Sequence, residues 1–151
     1  MNNLSTHNWG PINLSLYWQD KIILKSIWTR KNIKNSNLNY QNKIFKELVN
    51  RPNLTLLENH LQGFIDFTDL KKQILLSCSN IKKGETLSYK KVAIKSGNKH
   101  RARYVGTLMA KNTFHLLIPC HRVIKSNNEI GEFSAIGKTK SKVDLLNYEL
   151  K

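Results

Sequence analysis

Residues 114–124 read Phe-His-Leu-Leu-Ile-Pro-Cys-His-Arg-Val-Ile, an apolar run that contains a cysteine followed by a histidine. The run predicts a segment that passes through the protein interior, where Pro119 fixes its own φ and prevents a simple extended strand. Cys120 is therefore expected at a buried bend. A thiol with an unperturbed pKa of about 8.5 needs a base before it can attack as thiolate. His121 is the adjacent candidate, although neighbours in sequence do not necessarily touch.

The segment before this run predicts a helix-turn-helix. Ser88 is a suitable N-cap for a short first helix, and residues 96–98, Ser-Gly-Asn, form a turn. A second helix is expected from Lys99 to Lys111. Two amphipathic helices joined by a glycine turn also occur in ordinary bundles, so the pattern alone does not establish DNA binding. The second helix would direct one set of side chains inward, namely Ala102, Val105 and Met109, and another outward, namely Lys99, Arg101 and Arg103.

The charge of the chain points to a polyanionic partner. Lys and Arg number 25 against 10 Asp and Glu, which gives a formal net charge of +15. Neutralising phosphates releases condensed counterions, so nucleic acid is the natural partner of such a surface. A biased genome that enriches Lys and Asn would explain the total charge equally well. The distribution favours nucleic acid, because nine Lys or Arg and a single acid, Glu85, lie between Lys82 and Lys111.

The remainder of the chain predicts a hairpin and several helices. Alternating apolar residues over 12–28 predict a β-hairpin, and the stretch 30–42 is expected to be a long turn. A helical stripe with Ile44, Phe45, Leu48 and Val49 stops before Pro52, and another helix is expected from about Thr68 to Asn80. A last amphipathic helix contains Val143, Leu145, Leu146 and Leu150. The boundary between two lobes is placed near Phe67, which divides the chain into residues 1–67 and 68–151.

Composition narrows the compartment and the cofactors. No apolar run approaches the roughly 20 residues needed to cross a bilayer, and the first ten residues do not resemble a secretory signal. We therefore expect a cytoplasmic protein with no membrane association. Cys78 and Cys120 are too few for a disulfide framework and have no zinc-type spacing, so neither metal nor cofactor is expected. Cys78 lies in phase with a helical apolar stripe and is expected to be inert core.

The residues around Cys120 resemble a known family. Ile118 to Val123, read as Ile-Pro-Cys-His-Arg-Val, is similar to the signature of the O6-alkylguanine-DNA alkyltransferases, also called methylated-DNA-protein-cysteine methyltransferases. Residues 84–89, Gly-Glu-Thr-Leu-Ser-Tyr, and 102–106, Ala-Arg-Tyr-Val-Gly, resemble two further motifs of that family at the expected separations. The resemblance extends from about Leu70 to Leu150. Further matches follow in order downstream, at Gly131, Ser134, Lys142, Leu145, Leu146 and Glu149.

The resemblance implies an α/β (α+β) protein of two lobes. Residues 1–67 would form a ribonuclease-H-like lobe with an antiparallel sheet and a helix. Residues 68–151 would form a mainly helical lobe with a winged-helix-like helix-turn-helix and the buried cysteine. The implied function is DNA repair by direct, stoichiometric and irreversible transfer of an alkyl group to Cys120. The donor would be O6-alkylguanine, and also O4-alkylthymine, flipped out of double-stranded DNA, with the protein acting as a monomer.

The resemblance also implies roles for individual residues. Cys120 matches the alkyl acceptor, His121 the base that takes its proton through a water molecule, and Glu149 the carboxylate that orients His121. Asn112 matches an amide that braces the turn beside the site, and Tyr89 a phenol that assists the leaving guanine. The remaining matches concern recognition: Arg103 as a finger that fills the space left by the base, with Ala102, Lys99 and Arg101 on the DNA side, and the Val123 backbone, Ser134 and Phe133 at the guanine pocket.

Each of these roles has a simpler alternative when the motif order is set aside. Tyr89 would be a packing aromatic, Arg103 a phosphate contact, Asn112 a helix cap and Glu149 a solvated charge. At the level of the whole protein, two alternatives to repair remain. One is an alkyltransferase-like protein that only binds alkylated DNA, but such relatives lack the acceptor cysteine. The other is a helix-turn-helix regulator whose cysteine senses damage, which would require a specific operator and a dimer.

The sequence departs from the family pattern mainly around the pocket. Thr113 stands where the family has proline after Asn112, and Lys82 also replaces a common proline. The missing proline makes the turn after Asn112 less rigid. The larger differences flank the pocket, and they bear on the range of alkyl groups accepted rather than on the reaction. These larger differences are Phe133 in place of tyrosine, Ala135-Ile136 in place of Gly-Gly, and about two extra residues between Ser134 and Lys142.

Overall fold

A computed structural model describes residues 2–31, 39–50, 68–131, 133 and 136–151. Four features named from the sequence lie wholly or partly outside these ranges: the lobe boundary near Phe67, the long turn over 30–42, the pocket residue Ser134 and the pair Ala135-Ile136. Within the described ranges the chain combines an antiparallel sheet with helices, so the expected mixed α/β class is confirmed. No helix in this part of the chain is long and apolar enough to cross a bilayer.

Three antiparallel strands form the sheet in the order β1-β2-β3, with β1 at Asn2–Trp9, β2 at Ile12–Gln19 and β3 at Ile22–Thr29. The predicted hairpin over 12–28 is confirmed as β2 and β3. Strand β1 was not predicted, because its sequence has little apolar alternation of its own. It is stabilised by pairing with β2 along its whole length. The alternation of β2 buries Ile12, Leu14, Leu16 and Trp18 in the core.

Helix α1 (Asn39–Asn50) follows the sheet in the chain. The predicted helix before Pro52 is therefore confirmed, but it begins inside the stretch 30–42 that was expected to be a turn. Ile44 and Phe45 are buried, and the Phe45 ring stacks on His7 of β1 at 3.9 Å between centroids. Tertiary packing thus extends a helix into polar sequence that has little helical signal of its own.

The second half of the chain contains the predicted helix-turn-helix. Helix α2 (Asp69–Ser79) begins at its N-cap Thr68, and α3 (Tyr89–Lys95) begins at the predicted N-cap Ser88, whose hydroxyl accepts from Lys91 N. The next helix is α4 (Ala102–Ala110).

The prediction that Lys99 and Arg101 lie on the second helix is wrong. The Asn98 carbonyl accepts from Arg101 N at 2.9 Å, which closes a turn, and α4 begins only at Ala102. Lys99 and Arg101 are nevertheless exposed, as is Arg103 in the first turn of α4. The three exposed cations therefore lie close together in the chain, two of them on the turn before α4 and one in its first turn.

The cysteine segment is held between the two halves of the protein. Cys120–Arg122 form one turn of 3₁₀ helix, and β5 (Val123–Ile124) pairs in parallel with β4 (Leu87–Ser88) just before α3. Ser26 of β3 connects the sheet to the turn that precedes this segment. Its backbone N–H donates to Thr113 O at 2.8 Å, and its hydroxyl donates to His115 O at 2.9 Å.

Helix α5 (Lys138–Glu149) closes the chain and confirms the predicted last helix. Leu145 and Leu146 are buried, as the amphipathic pattern predicted. Leu150 does not join them, because it lies beyond the helix end with 71% of its surface exposed. The buried end of α5 instead carries Glu149, which brings a carboxylate from the end of the chain into the interior.

Candidate active site

Cys120 begins the 3₁₀ turn and lies in the wall of a cavity, as expected from the bend at Pro119. Only 4% of its surface is exposed. The cavity has a volume of about 480 Å³, which falls within the range of small-ligand sites. Its walls combine apolar and polar side chains, including Tyr89, Gly106, Met109, Cys120, Phe133 and Lys142. The thiol therefore faces a space large enough for a nucleobase.

The Cys120 thiol is protonated in the resting site. Burial raises the pKa of Cys120, and this effect exceeds the opposing influence of the Asn112 side chain, the Lys142 charge and nearby backbone N–H groups. A thiolate must therefore form during reaction, when a neighbouring base takes the proton. The site has to supply that base from within the protein, because the thiol is almost inaccessible to solvent.

His121 is paired with Glu149, as the predicted roles require. Nε2 of the fully buried His121 lies 2.7 Å from Oε1 of Glu149. Burial lowers the pKa of His121, and the hydrogen bond and charge of Glu149 only partly oppose this. The imidazole is thus neutral at rest and able to accept a proton. Its second ring nitrogen, Nδ1, is buried and has no hydrogen-bond partner among the described residues.

Glu149 accepts hydrogen bonds from two further residues that the sequence did not indicate. Arg122 donates Nε–H to Oε2 at 2.8 Å and Nη2–H to Oε1 at 2.9 Å, and it also donates Nη1–H to Ile81 O at 2.7 Å. Trp9 of β1 donates its indole N–H to Oε1 at 3.0 Å. The motif shows Arg122 beside His121, but no sequence signal connects Trp9 to a residue 140 positions away.

His115 is a second histidine beside the acceptor sulfur, and it was not predicted. Its Nδ1 lies 3.7 Å from Cys120 Sγ, and its ring meets Phe133 edge-on at 6.1 Å. Burial, together with the charge of His121, lowers the pKa of His115 to about 4. It is therefore neutral near pH 7.

Asn112 braces the turn that leads to Cys120. Its amide Nδ2 donates to Ile118 O at 2.8 Å, while its Oδ1 accepts from Phe114 N at 2.9 Å. Both ends of the turn are thereby joined through one half-buried side chain. The turn contains Leu116 at a φ of 69°, a conformation that non-glycine residues rarely adopt. The Asn112 amide thus stabilises the turn that precedes Cys120.

Lys142 is a buried cation at the cavity wall, only 1% exposed. Its Nζ donates to Val123 O at 2.7 Å. Burial lowers the pKa of Lys142 to about 8, while Cys120 and Cys78 act in the opposite direction. The sequence placed Lys142 among the family matches without a role. In the structure it donates a hydrogen bond to the carbonyl of Val123, the residue whose backbone was expected to contact the guanine edge.

Arg103 is an exposed cation in the first turn of α4, one helical turn before a residue of the cavity wall. Residues three apart on a helix are neighbours on its surface, and Gly106 of the same helix lines the cavity wall. Tyr89 lines the same cavity. A side chain at Gly106 would meet the Tyr89 ring at 3.9 Å, and the Tyr89 hydroxyl approaches Gly131. The half-buried Ala102 precedes Arg103, so a small residue and an exposed cation are adjacent at the start of α4.

Cys78 has the properties expected of a core residue. It is fully buried, and its Sγ lies 3.5 Å from Met109 Sδ. Burial raises the pKa of Cys78 well above its ordinary value. A thiol so completely enclosed in apolar surroundings is not a nucleophile.

Comparison with known proteins identifies the second half of the chain. A family model described as the DNA binding domain of 6-O-methylguanine DNA methyltransferase matches residues 69–151. The methylated-DNA–protein-cysteine methyltransferase of Rattus norvegicus is 48% identical over 59 residues, which make up 39% of this chain and 28% of the rat protein. That of Methanothermobacter thermautotrophicus is 37% identical over 82 residues, 54% of this chain and 44% of the archaeal protein. The matched segments thus span less than half of either relative.

Solved structures show a similar fold over nearly the whole chain. The O6-methylguanine-DNA methyltransferase of Pyrococcus kodakaraensis superposes with a TM-score of 0.67 at 19% identity, covering 99% of each chain. The structure of Mycobacterium tuberculosis OGT in complex with DNA gives a TM-score of 0.67 at 19% identity, covering 99% of this chain and 92% of the other. The fold therefore extends to the N-terminal sheet, which the family model does not cover.

Proposed function

The chain belongs to the 6-O-methylguanine DNA methyltransferase family, and from that membership we propose that it repairs DNA by moving an alkyl group from O6-alkylguanine onto Cys120. The observation that carries the proposal is the placement of the Cys120 thiol in the wall of a nucleobase-sized cavity, next to the His121–Glu149 pair. The direct test is methylation of the intact protein by a duplex that contains O6-methylguanine. O4-alkylthymine is proposed as a second, smaller substrate.

The proposed reaction begins with loss of the thiol proton. Neutral His121 accepts it at Nδ1 through a water molecule, and the resulting imidazolium is stabilised by Glu149 at Nε2. Cys120 Sγ then attacks the alkyl carbon, so that a carbon–sulfur bond forms while the carbon–O6 bond breaks. The electron pair of the broken bond stays on the guanine. The thioether has no hydrolysable bond, so each protein molecule acts once.

The walls of the cavity supply recognition and leaving-group assistance. We propose that the Tyr89 phenol donates to the departing guanine, and that the backbone at Val123, with Phe133 and Ser134, recognises its edge. Lys142 donates to the Val123 carbonyl, and a carbonyl oxygen has two lone pairs, so we propose that it also accepts from the base. The Lys142 charge also favours the Cys120 thiolate. This gives a role to a lysine that the sequence singled out only as a family match.

DNA binding is proposed for the surface at the start of α4. Lys99, Arg101 and Arg103 are exposed beside the half-buried Ala102. These cations fit a polyanionic partner, and Gly106, on the helix that carries Arg103, lines the cavity. A base of duplex DNA would have to leave the helical stack to enter that cavity. We propose double-stranded DNA as the partner, with Arg103 entering the stack and the protein acting as a monomer.

The finer architecture is also proposed from the family. The division into lobes at residues 1–67 and 68–151, the ribonuclease-H-like description of the sheet, and the winged-helix-like description of α3 and α4 belong to this proposal. It is supported by the start of the family match at residue 69 and by the short parallel pairing of β4 with β5 beside the helix-turn-helix. We also propose a cytoplasmic location.

Substitution of Arg103 should separate base flipping from chemistry. A guanine leaves the stack only if its lost stacking is offset, and a long planar cation at the start of α4 can fill the gap. Arg103→Ala is therefore expected to slow repair of O6-methylguanine in duplex DNA by roughly 100-fold, since unstacking costs a few kcal/mol. Transfer from free O6-benzylguanine, which needs no flipping, should change little.

The two rates are measured on the same preparation by single-turnover kinetics. Lys25→Ala is a matched control, because Lys25 is an exposed cation on β3 whose Nζ lies over the Tyr17 ring and which is not among the residues that line the cavity. Equal losses with both substrates in Arg103→Ala would mean that Arg103 supports the cavity itself, and the proposed finger role would be wrong.

A further inference from the structure

We propose that Trp9 is a positioning residue for alkyl transfer. Its indole N–H holds the Glu149 carboxylate in place for its hydrogen bond with His121. The inference rests on the proposed function of the Cys120 site and extends it to the N-terminal sheet. Trp9 lies outside residues 69–151, the part of the chain that the family model matches. It would make β1 a component of the site rather than only a structural support.

The contact is specific for one carboxylate oxygen. Trp9 Nε1 donates to Glu149 Oε1 at 3.0 Å, and the same oxygen accepts from His121 at 2.7 Å and from Arg122 Nη2 at 2.9 Å. The other oxygen, Oε2, accepts from Arg122 Nε at 2.8 Å. Hydrogen bonds to an ionised acceptor are stronger than neutral ones. Three donors from separate directions therefore fix the oxygen on which the His121 orientation depends.

Trp9 is held in place by the surroundings of the β1–β2 turn. Gly10 has a φ of 63°, and a side chain there would collide with the Tyr148 ring, so glycine permits this close approach. The Trp9 and Tyr148 rings meet edge-on at 6.3 Å. Lys83 Nζ lies over both rings, 5.4 Å from the Trp9 centroid and 4.8 Å from that of Tyr148. This packing leaves the indole N–H directed at the carboxylate.

The sheet reaches the proton relay at a second point. Trp28 of β3 is buried and meets the His121 ring edge-on, with 5.9 Å between centroids. One strand therefore contacts the carboxylate and another contacts the imidazole. The two catalytic side chains are on the 3₁₀ turn and on α5, and the sheet supplies a common surface against which both are aligned.

The electrostatic consequence has a definite sign. A donor on Oε1 stabilises the carboxylate charge and so weakens the pull of Glu149 on the His121 proton. Loss of the Trp9 N–H should strengthen that pull and raise the pKa of His121. The acid limb of the transfer rate, which requires neutral His121, should then move to higher pH. The other charged or titratable groups acting on His121 stay in place in such a variant, namely Arg122, Lys142 and His115.

Trp9→Phe tests the proposal, because it keeps an aromatic ring and removes the N–H. Its matched control is Trp18→Phe, which removes a comparable indole bond in the same sheet, from Trp18 Nε1 to Ser5 Oγ at 2.9 Å, away from Glu149. Transfer from an O6-methylguanine duplex is measured across pH 5 to 9. In Trp9→Phe we expect the plateau rate to fall roughly tenfold, the scale of one charge-assisted bond, and the acid midpoint to rise. Trp18→Phe should leave the midpoint unchanged.

A readout independent of activity accompanies the kinetics. The chain has three tryptophans, so three indole N–H signals are expected in a proton–nitrogen NMR spectrum, and the Trp9→Phe spectrum identifies one of them. That signal should be shifted downfield and protected from exchange in the wild-type protein. If the wild-type protein transfers no alkyl group, the proposed function fails, while this signal still tests the Trp9 contact.

Two results would overturn the inference. An indole signal of Trp9 that exchanges freely with solvent would show that the bond to Glu149 is not maintained. A Trp9→Phe variant with the wild-type acid midpoint, whether its rate is unchanged or lowered in parallel with Trp18→Phe, would show that Trp9 contributes only to packing.

Discussion

Cys120→Ala is expected to abolish alkyl transfer completely while the protein still binds DNA. The substitution removes the only thiol among the described residues of the cavity wall, and neither His115 nor His121 is among those residues. Truncating a side chain that is already small should disturb the fold little. The measurement is guanine restored in a duplex containing O6-methylguanine, together with a binding titration on the same DNA.

Cys78→Ala is the matched control for the thiol. Cys78 is as deeply buried as Cys120 but packs on Met109 in the core, so this variant should transfer at close to the wild-type rate. Loss of transfer in Cys78→Ala with retention in Cys120→Ala would mean that the wrong thiol has been assigned. More than one mole of guanine restored per mole of wild-type protein would contradict single turnover.

Glu149→Gln is expected to impair both stability and transfer. The carboxylate is buried against Arg122 and His121, and removing one partner of a buried ion pair leaves an uncompensated charge. The free energy of unfolding should fall by roughly 3–5 kcal/mol, a large part of the 5–15 kcal/mol typical of a domain. Transfer should slow strongly, because His121 loses the group that stabilises its protonated form. Urea unfolding and single-turnover kinetics measure the two effects.

The same substitution should alter the acid dependence of stability. Burial acts to raise the pKa of Glu149, but hydrogen bonds and charges from His121 and Arg122 lower it to about 2. A carboxyl whose folded pKa lies below its unfolded value of 4.5 stabilises the fold above that value, and the contribution is lost as pH falls from 4.5 towards 2. In Glu149→Gln this loss should be missing from the acid unfolding curve.

Glu129→Gln provides the control for a surface carboxylate. Glu129 pairs with Lys125 in an exposed i,i+4 arrangement, and such pairs contribute little. Its variant should retain the wild-type urea midpoint and transfer rate. A Glu149→Gln variant as stable and as active as Glu129→Gln would show that the buried network does not support the site.

The sequence predicted those parts of the site whose residues belong to recognisable motifs. The motif around Cys120 and the downstream matches led to Glu149, and the structure brings the Glu149 carboxylate within hydrogen-bond distance of His121. The N-cap Ser88 was also predictable, since an N-cap acts on residues only three positions away. Interactions between residues that are close in sequence can be recognised from a few consecutive residues.

Contacts made by tertiary packing were not predictable. Trp9 reaches Glu149 only because the β1–β2 turn packs against α5, and β1 itself depends on its partner strand. His115 lies beside Cys120 because Leu116 turns the chain in an uncommon conformation. The late start of α4 depends on the turn closed by Asn98. None of these arrangements follows from periodicity or from the order of motifs.

The mass of the intact protein tests the central claim most directly. The protein is incubated with an excess of duplex that contains O6-methylguanine, and its mass is compared with that after incubation with undamaged duplex. We expect the mass of one methyl group to be added, with peptide analysis locating it on Cys120 and on no other residue. An unchanged mass while the lesion persists, or a methyl group found elsewhere in the chain, would contradict the assignment of this protein as a single-turnover alkyl acceptor.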